Sequence, residues 1–376
     1  MKTELELYLH IPFCARKCAY CDFFSGTFCM EEMRRYFEDL RTEIRACREE
    51  ELLTAPVRSI FIGGGTPSFV PEEEIAKTIR TLRECFTIPG GIEFTIEANP
   101  GTLNEKKLDT YLESGINRLS LGLQSPDNRM LEKLQRIHSF SDFLDSFSMA
   151  RRAGFTNISV DLMSGLPGET PEEFEKGLKT VVSLQPEHLS VYSLIIEENT
   201  PFYALYGPSG NKREELPDEE CDRRIYHRTK ELLEEAGYRR YEISNYARPG
   251  FECIHNIGYW TGVPYLGFGA SAASFTGRRR FKNASDLKYL FRKKEEEETL
   301  SDAELMSEYM ILGLRLSRGV SENAFKARFG RNLTEVFRDP VNKHCALKTL
   351  IREDGCIRLS EYGTDVANAV MQDFLI

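Results

Sequence analysis

The sequence predicts an α/β fold, an incomplete (β/α) barrel followed by a C-terminal helical, winged-helix-like domain. Six short β-rich runs alternate with amphipathic stretches through the first half of the chain, which is typical of βαβ units and a parallel sheet. Six such units fall short of the eight in a closed barrel. After about residue 200 the alternation stops, which indicates a second type of structure. A doubly wound sheet stays open as an alternative, because periodicity does not fix strand order.

The predicted elements follow one another in order along the chain. The predicted strands are 5–11, 57–63, 92–98, 117–123, 157–163 and 188–194. The predicted helices between them are 30–53, 71–86, 104–114, 140–153 and 171–184. Two helix starts carry clear signals, since three glutamates follow Pro71 and Thr170 precedes Pro171, as expected of capped N-termini.

The second half has a different pattern. A loop over 207–218, a helix over 219–236 and an aromatic, glycine-rich region from Tyr238 to Phe275 come first. The run KKEEEE at 293–298 predicts a solvated helix face. A helical tail from 301, a short β-like piece at 355–363 and a last helix predict the winged-helix-like unit. We therefore expect a barrel domain over 1–280 and a C-terminal domain over 281–376.

Composition limits the possible functions. The 376 residues carry a net charge of −10, which argues against a broad basic surface for nucleic acid. No apolar run is long enough to cross a bilayer, and the N-terminus lacks the apolar core of a signal peptide. We expect a cytoplasmic protein without a membrane anchor. Its ten cysteines are then better interpreted as metal or redox groups and core residues than as disulfides.

Three cysteines stand directly after the first predicted strand. Cys14, Cys18 and Cys21 are spaced C-x-x-x-C-x-x-C, and a short loop of that kind can hold one face of a cubane iron–sulfur cluster. Such clusters usually take four thiolates, so three leave one iron open to an outside ligand. The neighbouring Arg16 and Lys17 are expected to favour the thiolate forms.

Two other interpretations of these cysteines remain open. A structural zinc site would need a distant fourth ligand such as Cys29, and zinc sites more often combine paired C-x-x-C knuckles. A catalytic dithiol of Cys18 and Cys21 would normally open a helix. Both are less favoured than the cluster.

Polar residues also mark the ends of the next four predicted strands. The run Gly63-Gly64-Gly65-Thr66-Pro67 follows the second strand, and Glu97, Gln124 and Asp161 lie at or near the ends of the third, fourth and fifth. Active sites of (β/α) barrels and open α/β sheets lie at this end of the strands. Because a buried carboxylate is costly without a partner, Glu97 and Asp161 predict a polar ligand.

The pattern C-x-x-x-C-x-Y-C resembles the signature of the radical-SAM superfamily. The resemblance implies a [4Fe–4S] cluster held by Cys14, Cys18 and Cys21, whose open iron chelates S-adenosylmethionine, and a reductant for the cluster. It further implies that the following residues border or contact S-adenosylmethionine: Tyr8, Tyr20, Gly64, Gly65, Thr66, Glu97, Gln124, Arg136 and Asp161. For Arg136, which would neutralise the methionine carboxylate, a plain surface arginine is the alternative.

Segments along nearly the whole chain, among them YLHIPFC, IFIGGGTPS, DLMSGLPGET and HNIGYW, resemble the HemW heme chaperones. This family is related to oxygen-independent coproporphyrinogen III oxidase. The resemblance implies heme binding and transfer of heme to an acceptor hemoprotein. The oxidases carry a further cysteine where Asp22 and Phe23 stand here, and a longer segment before the cluster loop. Porphyrinogen decarboxylation is the alternative function, another radical-SAM reaction such as methyl transfer is a third, and whether S-adenosylmethionine is cleaved stays open.

The HNxxYW motif, from His255 to Trp260, is linked to heme in this family. By that resemblance His255 is a candidate axial ligand, with Cys253 as a second candidate. Tyr259 and Trp260 offer flat apolar surfaces for a porphyrin. The alternative is a packed turn at the barrel end, with His255 hydrogen-bonded internally.

Overall fold

The computed structural model describes residues 4–47, 50–287 and 294–376, and its strands form two sheets. The strands are β1 (Leu5–Ile11), β2 (Val57–Gly64), β3 (Glu93–Ala98), β4 (Arg118–Gln124), β5 (Ile158–Ser164), β6 (His188–Ser193), β7 (Arg239–Arg240), β8 (Asn245–Ala247), β9 (Tyr265–Phe268), β10 (Ala273–Phe275), β11 (Arg279–Asn283), β12 (Lys294–Thr299), β13 (Val320–Ser321), β14 (Leu350–Glu353) and β15 (Cys356–Leu359).

Helices cover the outer face of the large sheet and build the C-terminal region. They are α1 (Met30–Ala46), α2 (Glu50–Leu53), α3 (Glu72–Cys85), α4 (Glu105–Glu113), α5 (Asn128–Lys133), α6 (Phe140–Ala153), α7 (Pro171–Ser183), α8 (Pro201–Tyr206), α9 (Glu219–Glu235), α10 (Ile254–Thr261), α11 (Asp302–Gly313), α12 (Glu322–Phe329), α13 (Leu333–Val336), α14 (Arg338–Ala346), α15 (Glu361–Asp365) and α16 (Ala367–Gln372).

The large sheet has twelve strands in the order β12-β11-β10-β9-β1-β2-β3-β4-β5-β6-β8-β7. Strands β1 to β6 are parallel neighbours in chain order, and β9 pairs parallel with the other edge of β1. In a doubly wound sheet, by contrast, the chain adds strands first on one side of an inner strand and then on its other side. The sheet is open, so the predicted incomplete barrel is confirmed and the doubly wound alternative is wrong.

The side chains of strand β1 alternate between the two faces of the barrel sheet. Leu5, Leu7 and Leu9 belong to the main hydrophobic core with the residues of α1, because alternate residues of a strand point to the same face. Glu6, Tyr8 and His10 occupy the other positions of the alternation. The inward face of the barrel is therefore lined with polar and aromatic groups.

Several helix boundaries agree closely with the sequence predictions. Helix α6 spans the predicted 140–153, and α7 starts at Pro171 with Thr170 as its N-cap. The Thr170 hydroxyl accepts from the Glu173 N–H at 3.2 Å, and the Glu173 carboxylate accepts from the Thr170 N–H at 3.2 Å. This reciprocal capping fixes where the helix begins.

Two element predictions are wrong. Residues 294–299 of the KKEEEE region form strand β12, not a helix, although their side chains are largely exposed. The strand pairs antiparallel with β11, where Arg280 approaches Glu298 at 3.7 Å, so cross-strand charge pairs support the strand. Lys293 lies outside the described residues. The predicted helix 30–53 is divided into α1 and α2.

The C-terminal region packs its helices against a three-stranded sheet in the order β13-β15-β14. Its separate core includes Met310, Phe325, Phe337 and Ile357, as expected of a winged-helix-like unit. The domain boundary at 280/281 stays a prediction; the large sheet continues to Thr299. Among the described helices, none is both long and apolar enough to cross a membrane.

Candidate cofactor site and the adjoining cavity

The loop that carries the three cysteines follows β1, and its end at Gly26 is hydrogen-bonded to its beginning at Pro12 and Cys14. The Cys14 N–H donates to the Gly26 carbonyl at 2.8 Å, and the Gly26 N–H donates to the Pro12 carbonyl at 2.9 Å. Cys14 is buried, Cys18 and Cys21 are half-buried, and all three thiols are free. Together they line one pocket of about 130 Å³ at the carboxyl ends of the parallel strands.

Most residues predicted to bind the cofactor meet in this pocket. Besides the three cysteines, its lining includes Tyr20, Gly64, Gly65, Thr66, Glu97, Gln124, Arg136 and Asp161. Tyr8 and His255 do not line it. The ends of β1 to β5 thus bring together residues that are far apart in the sequence.

The glycine-rich turn after β2 lies against the cysteine loop. The Gly65 N–H donates to the Ile11 carbonyl and the Thr66 N–H to the Phe13 carbonyl, both at 2.8 Å. A Cβ atom on Gly65 would lie 2.9 Å from the carbonyl carbon of Pro12, closer than real contacts allow, and 3.0 Å from the Cys14 sulfur. Gly64 has a φ of +114°, which a side chain would strain. Glycine is therefore required for this close approach.

Arg136 is drawn into the pocket, so the surface-arginine alternative is wrong. Its Nη1 lies 3.3 Å from the Cys18 sulfur. Its Nη2 donates to the Asn99 side-chain oxygen at 2.6 Å and to the Gly122 carbonyl at 2.7 Å. Its buried Nε has no partner, which leaves one donor for a ligand.

The two cations beside the cysteines hold the cysteine loop, and one of them acts on a thiol as expected. Burial raises the pKa of the Cys21 thiol, and the charge of Lys17 opposes that increase. The Arg16 guanidinium donates to the carbonyls of Gln135 and Arg136 at 2.6 and 3.0 Å. The Lys17 ammonium donates to the Phe23 carbonyl at 3.0 Å. Both brace the loop, and the guanidinium that contacts a thiol belongs to Arg136, 118 residues from Cys18 in the chain.

Two carboxyl groups face the pocket from neighbouring strands. Glu97 accepts from the Gly64 N–H at 3.1 Å, and burial, with the Asp161 charge adding to it, raises the pKa of Glu97 to about 7. Asp161 accepts from the Ser120 hydroxyl at 3.1 Å, and burial raises its pKa as well. Both groups remain available to hydrogen-bond donors of a ligand.

Gln124 lies where β4 departs from regular pairing. The register with β5 shifts between Gly122 and Gln124, and Gln124 has a φ of 69°. Its side-chain oxygen accepts from the Tyr192 hydroxyl at 3.0 Å. Bulges and left-handed non-glycine residues often mark functional sites.

The donor set fits an iron–sulfur cluster better than the zinc alternative. Cys29 is exposed and serves as N-cap of α1, outside the pocket lined by the other three cysteines. Three thiols, a guanidinium and a glycine turn with no room for side chains therefore lie together, as an anionic cluster with an open iron requires.

A second, larger cavity adjoins the first. It has a volume of about 760 Å³ and lies between the β1 side of the sheet and α11 and α12, within the size range of ligand sites. Its walls include Tyr8, Tyr259, Trp260 and Tyr265. Phe23 lines both cavities.

The HNxxYW motif forms helix α10, whose N-terminus is held by Glu93. The Glu93 carboxylate accepts from the Ile254 N–H at 2.9 Å and the His255 N–H at 3.0 Å, and the Cys253 thiol approaches it at 3.4 Å. A carboxylate at this end of a helix is favourable. Sequence reasoning missed Glu93, although its position four residues before Glu97 gives it the same strand face.

His255 does not reach the large cavity. It is 1% exposed, with Nδ1 2.9 Å from the Ser59 hydroxyl and Nε2 3.0 Å from the Tyr259 hydroxyl. Burial lowers its pKa to about 3. Cys253 is also fully buried. The geometry therefore favours the alternative of an internally bonded His255, placed on a helix instead of a turn, over the prediction that His255 is an axial ligand.

Tyr8 also differs from expectation. It lines the large cavity and not the cysteine pocket, where its hydroxyl lies 3.1 Å from Nδ1 of His10. Its ring stacks on Phe61 with the centroids 6.3 Å apart.

Comparison with known proteins defines the class first. Residues 8–181 match the model of the Radical SAM superfamily, and residues 300–366 match the HemN C-terminal domain. The solved structure of coproporphyrinogen III oxidase (HemN) from Escherichia coli, described as a radical SAM enzyme, superposes with a TM-score of 0.84 at 24% identity, covering 100% of this chain and 90% of that one. The fold is therefore that of a radical-SAM protein, a class whose cofactors are a [4Fe–4S] cluster and S-adenosylmethionine.

Curated relatives narrow the assignment. The heme chaperone HemW of Bacillus subtilis (strain 168) is 37% identical over 98% of this chain and 98% of its own length. HemW of Lactococcus lactis subsp. lactis is 33% identical over 98% of this chain and 97% of its own. The chain belongs to the HemW family of heme chaperones.

Proposed function

We propose that this protein binds heme in the large cavity and transfers it to an acceptor hemoprotein, with its cluster and S-adenosylmethionine in the cysteine pocket. One observation carries the proposal. A single cavity joins Phe23 of the cluster loop, Tyr259 and Trp260 of the HNxxYW helix, and Tyr309 of the C-terminal region. The names of the HemW relatives support the same function.

The walls of the large cavity suit a flat, apolar macrocycle. The rings of Tyr259 and Tyr265 meet edge to face with centroids 4.7 Å apart, and Trp260 and Phe275 extend the aromatic lining. Aromatic faces of this kind provide large apolar contact areas.

Basic groups complete the match to heme, which carries two anionic propionates. Arg280, Lys282 and Arg328 line the same cavity. Arg280 is held tightly by the Glu308 carboxylate at 2.6 and 2.7 Å. Lys282 lies 3.9 Å from the Glu296 carboxylate, and Arg328 donates to the carbonyls of Thr261 and Gly262 at 3.2 and 3.0 Å. Lys282 and Arg328 are therefore the better candidates for charge-assisted bonds to propionates, because neither is held by a short bond to a carboxylate.

In the cysteine pocket, Cys14, Cys18 and Cys21 hold the cluster in this proposal. Gly64, Gly65 and Thr66 provide backbone close to the methionine part of S-adenosylmethionine. The remaining pocket side chains bind its charged and hydroxyl groups: Tyr20, Glu97, Gln124, Arg136 and Asp161. When bound, the cluster and S-adenosylmethionine supply one-electron chemistry, which requires an external reductant.

A paired anaerobic experiment tests the function. The cluster is reconstituted, hemin is titrated while the Soret band is followed, and an apo-hemoprotein that binds heme non-covalently is then added. We expect stoichiometric binding, followed by transfer that depends on the protein. In parallel, coproporphyrinogen III and S-adenosylmethionine are supplied with a reductant. Decarboxylated product without hemin binding would establish the oxidase alternative and overturn the chaperone proposal.

A further inference from the structure

The large cavity contains two tyrosines that are hydrogen-bonded to buried histidines. Tyr259 is bonded to Nε2 of His255 at 3.0 Å, and Tyr8 to Nδ1 of His10 at 3.1 Å. Both tyrosines line the cavity. A tyrosine phenolate is one of the groups that bind heme iron in proteins, so each pair is a candidate ligand unit.

The two tyrosine–histidine pairs differ in the hydrogen-bond partner of the second histidine nitrogen. In His10, Nε2 is tied to the Phe24 carbonyl at 2.8 Å. A carbonyl can only accept, so Nε2 carries the hydrogen and Nδ1 of a neutral ring can only accept from Tyr8. A phenolate needs a donor, and neutral His10 cannot supply one. Tyr8 is thereby held as a neutral phenol.

His255 faces a different partner. Its Nδ1 lies 2.9 Å from the Ser59 hydroxyl, and a hydroxyl donates as readily as it accepts. With Ser59 donating to Nδ1, neutral His255 carries its hydrogen on Nε2 and donates it to the Tyr259 oxygen. This pair can stabilise the phenolate oxygen once iron has displaced the phenol proton; without iron, burial holds the pKa of Tyr259 well above its usual value.

Tyr265 and Tyr309 have no histidine partner among the described residues. The Tyr265 hydroxyl has the guanidinium of Arg280 as its partner, and that guanidinium is already paired with Glu308 at 2.6 and 2.7 Å. The guanidinium of Arg328 lies over the ring of Tyr309, 5.2 Å from its centroid. The α-helix itself explains the Tyr259 pair, because His255 and Tyr259 are four residues apart and therefore share one face.

We propose that Tyr259 is the axial ligand of ferric heme and that His255 is its positioning residue, an inference that rests on the proposed heme binding. Ligation is a simple exchange at iron(III). The Tyr259 O–H bond breaks, an Fe–O bond forms, and the proton leaves with the hydroxide that hemin carries in water, as one water molecule. Iron keeps its oxidation state. In this proposal His255 of the HNxxYW motif does not bind iron itself; it orients Tyr259 by donating a hydrogen bond to its oxygen.

Resonance Raman spectroscopy of the full-length, cluster-reconstituted protein loaded with hemin tests this assignment. We expect phenolate modes that shift when the protein is made with ring-deuterated tyrosine, a result that requires no substitution. Tyr259→Phe removes these modes and weakens hemin binding by about 10- to 100-fold. Tyr265→Phe, which deletes one hydroxyl from the same cavity, and Tyr8→Phe both retain them.

Two His255 variants test the positioning role. His255→Phe removes the donor and shifts the iron–phenolate mode, whereas His255→Gln, whose amide can donate, keeps it closer to that of the wild type. If phenolate modes survive in Tyr259→Phe, or an imidazole-ligated spectrum disappears in His255→Phe, the assignment is overturned. Wild-type protein that binds hemin without phenolate modes overturns this inference alone. Wild-type protein that binds no hemin overturns the proposed function.

Discussion

The cysteine pocket and the large, aromatic cavity beside it differ in size, chemistry and origin. The cysteine pocket has about 130 Å³, is lined by thiol, carboxyl and guanidinium groups, and is built where consecutive strands end. The aromatic cavity has about 760 Å³, and its lining comes from β1, α10, the β9–β11 region and the C-terminal helices. Phe23 belongs to both. In the proposed function these differences divide the work, because the cysteine pocket would hold the small charged cofactors and the aromatic cavity would hold heme.

Loss of one cluster ligand gives the largest expected effect. Cys18→Ala should abolish cluster incorporation, because two thiolates and an open iron leave the cubane without adequate ligands. Iron and sulfide content after anaerobic reconstitution measures it. Cys29→Ala is the matched control and should load normally. Hemin binding should persist in Cys18→Ala, and its loss would show that the two cavities are not independent.

Removal of the Arg136 charge should affect the cysteine pocket alone. Arg136→Gln is expected to weaken S-adenosylmethionine binding by about 10- to 100-fold, the loss of a charge-assisted bond. Calorimetry on cluster-loaded protein measures this. Arg129→Gln, at an arginine paired with Asp127 and Glu173, is the control. Equal losses in both variants would contradict a specific role.

The aromatic cavity has its own test. Trp260→Leu should weaken hemin binding by about tenfold, since a flat contact surface is lost, and leave S-adenosylmethionine affinity unchanged. Soret titration measures the first and calorimetry the second. Trp260 is the single tryptophan of the chain, so quenching of wild-type fluorescence by hemin gives an independent readout. Tyr362→Leu, at a residue 61% exposed, is the control and should bind hemin normally.

Helix α10, which provides Tyr259 and Trp260 to the aromatic cavity, should be sensitive to one added methyl group. A Cβ on Gly258 would lie 1.9 Å from Oε1 of the buried Glu6. Gly258→Ala should lower the free energy of unfolding by about 1–3 kcal/mol through overpacking, as measured by urea denaturation. Gly90→Ala meets nothing within 4 Å and should change little. If Gly258→Ala is equally neutral, α10 is not packed on Glu6 as described.

The same Glu6 should make the stability of the protein depend on pH. Burial raises the pKa of Glu6 from 4.5 to about 9. Between these values the folded state binds more protons than the unfolded state, so the free energy of unfolding falls as pH rises. Glu6→Gln should flatten this slope in denaturation curves recorded across the range. An unchanged slope would show that Glu6 is not the group responsible.

The cysteine pocket was predictable because each of its parts is a short motif. Cys14, Gly65, Glu97 and Asp161 lie at or near the ends of parallel strands, and the sequence pattern locates those ends within a few residues. The number of repeating units favoured an incomplete barrel, but the strand order itself was left open by the sequence and came from the pairing of the strands. Even here one partner was assigned wrongly: Arg16 is adjacent in sequence to the cysteines, but Arg136 contacts the thiol, because the chain between them returns to the barrel mouth.

The aromatic cavity was much less predictable. Whether His255 faces a ligand or Ser59 depends on contacts across 196 residues, and no local pattern encodes them. Tyr8 shows the same limit, since neither its neighbours nor its strand position reveals which cavity its ring enters. The helix prediction for the region that forms β12, residues 294–299, was wrong for a related reason. Four successive glutamates favour a helix when only local sequence is considered, but the arginines of β11 lie beside them and support a strand.

Strand β1, which carries the cysteine loop, acquires its two neighbours at very different times. Synthesis proceeds from the N-terminus, so β2 (Val57–Gly64) is available early, whereas β9 (Tyr265–Phe268) is made some 200 residues later. Until then one edge of β1 presents unpaired backbone groups that invite pairing with other chains. A nascent or truncated chain that ends before β9 therefore exposes an unpaired strand edge beside three free thiols, and we expect orderly loading with iron and sulfide only after β9 has been made and paired.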